Sequence, residues 1–294
     1  MRSTRRELLA GALAVGAAVV AGGRKAEAAL RAEAPRRGTK GMRLGTVTYN
    51  LAKDWDVPTL IAKCQAAHFE GVELRTTHAH GVEPSLGAAA RKEVRQRFAD
   101  SSVTLWGLGS ICEFHSMDPK EVQANVETCK AFVRLAEDVG AKGVKVRPNG
   151  LNDDKGVPVE QTLEQIGHAL TECGRFAAEH GVEIWVEVHG NKTQHPPHIR
   201  RIIDVASHAS VGVCWNSNPT DLKDGSIREY FNLLKKDIRS CHITELSSDY
   251  PYRELFAGLK SIGYDRFTLA EVAESKEPER FMGYYRKLWL ELQR

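Results

Sequence analysis

The chain has 294 residues, 42% hydrophobic and 27% charged, enough for one large domain or two small ones with a sizeable core. Its formal charge of +3 is concentrated at one end. Residues 1–28 carry five basic and two acidic side chains, residues 29–41 carry four and one, and the body from Met42 onward is close to −3. A body without basic excess excludes a broad nucleic-acid-binding face, which needs a basic stripe.

The N-terminus reads as an address. Paired Arg5 and Arg6 precede an apolar run from Leu8 to Val20, and Ala26-Glu27-Ala28 follows as an A-x-A cleavage site. The run is shorter than the ~20 residues of a membrane span. Residues 1–28 are therefore expected to be a cleavable twin-arginine signal peptide, with a retained anchor as the alternative. Residues 29–41 are expected to be a flexible basic linker. The mature protein is expected in the periplasm, without a stable membrane span. A route that exports folded proteins suits one that takes up a cofactor first.

From Met42 onward short apolar runs alternate with amphipathic stretches. Strands are predicted at Met42–Tyr49, Gly71–Arg75, Val103–Ser110, Gly143–Arg147, Val182–His189, Val211–Asn216, Ile238–Ile243 and Phe267–Val272. Helices are predicted at Thr59–His68, Ala88–Phe98, Pro119–Val139, Val159–His180, His198–His208, Ile227–Leu234, Tyr252–Ile262 and Pro278–Leu290. Asp118-Pro119 is an N-cap followed by a first-turn proline, and Gly140 and Gly181 stand where a helix ends. Eight such units in about 250 residues predict a single (β/α)8 barrel over residues 42–294. An open doubly wound sheet would usually show G-x-G-x-x-G after its first strand, where Tyr49-Asn50-Leu51 stands instead. The six cysteines form no C-x-x-C, and most read as buried free thiols, with room for one disulfide.

Side chains at the C-terminal ends of barrel strands face the active site. Glu187 lies near the end of the fifth strand, Asn216 ends the sixth, His242 lies in the seventh and Glu271 in the eighth. A charge inside an apolar strand is costly unless paired or bound to a cation. Two carboxylates, an imidazole and an amide oxygen suit one divalent ion such as Mn²⁺, Mg²⁺, Co²⁺ or Zn²⁺. An internal salt-bridge network without metal is the competing reading.

These residues, in this order and spacing, resemble the xylose-isomerase-like TIM-barrel superfamily, the sugar-phosphate isomerase/epimerase group that includes ketose 3-epimerases, inosose dehydratases and 3-dehydroshikimate dehydratases. The resemblance implies one divalent metal held by Glu, Asp, His and Glu from strands five to eight. Glu187, His242 and Glu271 match three of these positions, while Asn216 stands where Asp is usual. Asn216 removes a negative charge, and His189 is a candidate to compensate or to bind substrate. Glu73, Arg75, His115, Lys145, Arg147, Asn218 and Glu245, at or near strand ends, are further candidates for substrate contact, with rim ion pairs as the bland alternative for several.

The resemblance implies an isomerase or epimerase of a keto sugar or related polyol, working through an enediolate, with Glu187 and Glu271 as base and acid. A lyase or dehydratase using the same enolate, on a keto sugar, inosose or keto-glycoside, is the second reading. A sugar-binding barrel without catalysis is the third. The partner is a small sugar or polyol, with a homo-oligomer allowed and nucleic acid excluded.

Overall fold

The structure, a computed structural model, describes residues 41–294. The expected signal peptide, and the expected linker up to Lys40, lie outside the described residues. Strands β1 (Arg43–Val47), β2 (Gly71–Arg75), β3 (Thr104–Gly109), β4 (Gly143–Val146), β5 (Glu183–Glu187), β6 (Val211–Trp215), β7 (Ile238–Ile243) and β8 (Phe267–Ala270) pair in chain order. Every pairing is parallel, and β8 closes on β1 to complete the predicted barrel. Helices α1 (Val57–Ala66), α2 (Ala88–Ala99), α3 (Pro119–Val139), α4 (Val159–Glu179), α5 (Pro196–Ala206), α6 (Arg228–Leu234), α7 (Tyr252–Ser261) and α8 (Pro278–Leu292) alternate with the strands.

Local chemistry sets the helix ends. Asp56 and Asp118 cap α1 and α3 by accepting from the backbone N–H groups of Thr59 and Lys120, each at 2.9 Å. Gly140 ends α3 with φ of 81°, a conformation in which a β-carbon is unfavourable.

Two apolar regions follow from the strands being buried on both faces. One lies between sheet and helices; the other fills the barrel with Val47, Trp106, Trp185, Cys214, Phe267 and Leu269. Trp106 stacks on Trp185 with ring centroids 5.2 Å apart. The stack requires Gly143, where a β-carbon would fall 2.4 Å from the Trp185 ring. Below it Glu183 closes the N-terminal end, accepting from Trp185 Nε1 at 2.8 Å and from both Arg266 nitrogens at 2.7 and 3.1 Å. This apolar plug forces ligands to the other mouth.

All six cysteines are free and buried. No helix among the described residues is long and apolar enough to cross a membrane.

Candidate metal centre

Glu187 is the last residue of β5, His242 lies one residue before the end of β7, and Glu271 follows β8 directly. Barrel closure brings one donor atom from each to within 4.8 Å of the others. His242 Nδ1 lies 3.4 Å from Glu187 Oε1 and 3.5 Å from Glu271 Oε2. On the other side of its ring, Nε2 faces Glu73 Oε2 at 3.2 Å. Glu73 and His242 are fully buried, whereas the Glu271 side chain keeps 17% of its surface exposed.

This geometry fixes the imidazole. A proton on Nε2 is donated to Glu73, which leaves the Nδ1 lone pair aimed between two carboxylates. His242 Nδ1 and Glu73 Oε1 are both buried without a hydrogen-bond partner. An acceptor nitrogen between two acceptor oxygens is unfavourable unless a proton or a cation joins them. Burial opposes a charge on His242, yet Cys214, Glu73 and Glu271 lift its pKa well above the ordinary imidazole value. Three convergent N and O donors with an unsatisfied buried nitrogen fit a divalent ion. Glu183 at the opposite end of the barrel differs, because arginine and tryptophan donors satisfy both its oxygens.

Lys145, inward-facing on β4, donates to Glu187 Oε2 at 2.8 Å, and both side chains are buried. Burial alone would raise the Glu187 carboxyl, but the Lys145 ammonium and His242 hold it well below the usual carboxylate range. Asn216, just past β6, turns its amide nitrogen to Glu187 Oε1 at 3.4 Å, while its oxygen accepts from Ser217 N at 3.0 Å. The oxygen expected to ligate is thus engaged by the backbone, because Glu187 attracts the donor end of the amide.

Other predicted residues divide into pocket wall and scaffold. Glu73, expected to touch substrate, sits behind His242 and orients it. Asn218 is also scaffold, its amide donating to Val188 O at 2.6 Å and tying the end of β5 to β6. Glu245 is exposed in the loop after β7. Arg147 pairs with Glu113 at 2.9 Å, and His115 Nδ1 stands 3.9 Å from the same carboxylate. Glu113 and His115 line a rim cavity of about 450 Å³ with Asn152 and Lys155. The Arg75 guanidinium lies 5.4 Å from the Tyr49 ring centroid. His189 is half-buried with Nδ1 unpartnered.

Asp221 has no counterpart in the sequence reading. It is fully buried in the β6–α6 loop, accepting from Asn218 N and Tyr250 Oη, each at 2.9 Å. Tyr250 in turn accepts from Trp215 Nε1 at 3.0 Å, and Trp215 is fully buried at the end of β6. Nothing in Asn218-Pro219-Thr220-Asp221 marks its acid as buried.

A family model for the xylose isomerase-like TIM barrel matches residues 61–287. No curated protein matches the chain. Among solved structures, D-psicose 3-epimerase from Clostridium cellulolyticum, with D-tagatose, superposes with a TM-score of 0.74 at 14% identity, covering 86% of this chain and 99% of its own. The 3-keto-D-glucoside 4-epimerase of E. coli superposes at 0.70 with 14% identity and the same two coverages. The IOLI protein with a binding zinc atom superposes at 0.69 with 15% identity, covering 86% and 98%. At such identities these likenesses establish the fold.

Proposed function

We propose that this chain, which belongs to the xylose isomerase-like TIM-barrel family, is a divalent-metal-dependent isomerase or epimerase of a keto sugar or related polyol. One observation carries the reading: the unpartnered His242 Nδ1 aimed between the Glu187 and Glu271 carboxylates. The sugar epimerases and the zinc-bearing protein among its structural relatives support it.

Glu187, His242 and Glu271 would hold the ion, with Asn216 beside them. When bound, it supplies a Lewis acid for a carbonyl and its neighbouring hydroxyl. Glu271 is the carboxylate placed to take the proton next to the carbonyl, because its side chain is 17% exposed while Glu187 is 3% exposed and tied to Lys145. Glu187 holds the opposite side of the centre and is the candidate to return a proton there. Glu73 keeps the imidazole in the tautomer that points Nδ1 at the centre. Arg75, His115, Arg147 and His189 are proposed to orient the sugar hydroxyls.

Export through the twin-arginine route stays a proposal for residues 1–28, and it favours free sugars and glycosides over sugar phosphates. Metal analysis of protein purified without chelator tests the assignment. The reading expects one divalent ion per chain, lost on Glu187→Gln; a metal-free protein that takes up none on titration would contradict it.

A further inference from the structure

We infer that Lys145 is a resident cation of this centre, sharing Glu187 with the metal and thereby weakening metal binding while holding the metal-free site together. The inference rests on the reading that Glu187, His242 and Glu271 bind a divalent ion.

On β4 the neighbours Val144 and Val146 pack into the core between sheet and helices, so Lys145 points inward. Its ammonium lies 2.8 Å from Glu187 Oε2, and the two side chains are 6% and 3% exposed. Glu187 divides its oxygens. Oε2 belongs to Lys145, and Oε1 faces His242 Nδ1 and the Asn216 amide, each at 3.4 Å. Glu187 is therefore the hinge between a fixed charge and the metal position.

The charges around it make the ammonium consequential. Glu73, Glu187 and Glu271 bring three carboxylates to the pocket, and Lys145 feels all of them. With His242 neutral, as ligation requires, one ammonium leaves an excess of two negative charges, which a divalent ion neutralises. In the absence of metal, Lys145 on Oε2, together with a protonated His242 on Oε1, keeps Glu187 from facing the other carboxylates unpaired. In its presence, the ammonium repels the ion at close range and competes for the same carboxylate. Removing the charge should thus move two properties in opposite directions. A structural ion pair such as Arg266–Glu183, at the other end of the barrel, would move stability alone. Lys145 is in this account a positioning residue.

The test uses Lys145→Met, the gentler Lys145→Gln, which can still donate to Glu187, and the charge-preserving Lys145→Arg. Metal-free proteins are compared by thermal melting, and each is titrated calorimetrically with Mn²⁺. Both neutral variants should melt several degrees below the wild type when metal-free and bind Mn²⁺ about tenfold or more tightly. Lys145→Arg should stay within about threefold of the wild type. If Lys145→Met does not fold without metal, Lys145→Gln supplies the comparison. Equal or weaker Mn²⁺ binding by the neutral variants, with the wild type binding normally, overturns the inference and leaves the metal reading intact. Absence of Mn²⁺ binding by the wild type removes both.

Discussion

Glu73 Oε2 and His242 Nε2 lie 3.2 Å apart although 169 positions separate them in the chain. The contact turns an otherwise ambiguous imidazole into a directed donor, because the proton goes to Glu73 and the lone pair of Nδ1 goes to the centre. Glu73→Gln removes the charge that holds this tautomer. It should weaken Mn²⁺ or Zn²⁺ binding by about tenfold or more, as read by titration, while the circular dichroism of the barrel stays unchanged. Unaltered affinity would show that His242 is oriented by its packing alone.

Glu187→Gln and Glu271→Gln should separate. The first leaves Lys145 without its carboxylate in a buried site, so it should lower thermal stability, by an amount of about 3–5 kcal/mol when one partner of a buried pair is lost, together with metal occupancy. Glu271 is partly exposed and, among the described residues, paired with no lysine or arginine, its neighbour being the His242 imidazole at 3.5 Å, so its change should abolish proton transfer with little effect on melting. Melting curves that shift equally would argue that both glutamates are structural.

Asn216→Asp replaces the amide donor that faces Glu187 Oε1 with a like charge. Metal-free protein should melt lower, and metal should bind about tenfold or more tightly because the added carboxylate is a better ligand. Titration of the two proteins checks this. Equal affinities would mean that the side chain stays turned to Ser217 and that His189 is the better candidate for a fourth donor.

Burial pushes the Asp221 carboxyl from its usual 3.8 up to about 8, and its Oδ1 has no partner. The folded protein thus keeps a proton that the unfolded chain releases above about 3.8. The resulting stability is fully present below that value and is lost as pH rises through about 8. Melting temperature should fall over this window in the wild type, and less steeply in Asp221→Asn. Parallel pH profiles of the two proteins would refute the assignment.

The barrel was legible because the strands are short, mostly apolar runs buried on both faces and amphipathic stretches separate them. β2 and β7 fall at Gly71–Arg75 and Ile238–Ile243 as predicted, whereas β5 ends at Glu187 rather than His189 and β8 at Ala270 rather than Val272. The apolar runs continue past the last strand residue, and backbone bonds such as Val188 N to Cys214 O at 3.0 Å hold those residues against the barrel. Glu187, His242 and Glu271 stood out because charges inside apolar runs demand a partner. What the partners are was not legible, since Lys145–Glu187 depends on the register of β4 on β5 and Glu73–His242 exists only once the barrel closes. Asn216 showed its chemistry but not its orientation, which the neighbouring Ser217 N–H and Glu187 decide. Asp221 gave no signal, because a buried acid in a polar loop looks like any other loop acid.

The central claim is that this centre takes a proton from the carbon beside a sugar carbonyl. Incubating metal-loaded protein with a panel of ketoses and keto-glycosides in D₂O, and following the sugar C–H signals by NMR, tests it most directly. The account predicts deuterium at that carbon in at least one recovered ketose or its isomer, abolished by chelator and by Glu271→Gln. Exchange coupled to loss of water or aglycone would assign a lyase instead. No exchange with any sugar, from a protein shown to carry its metal, would contradict the account.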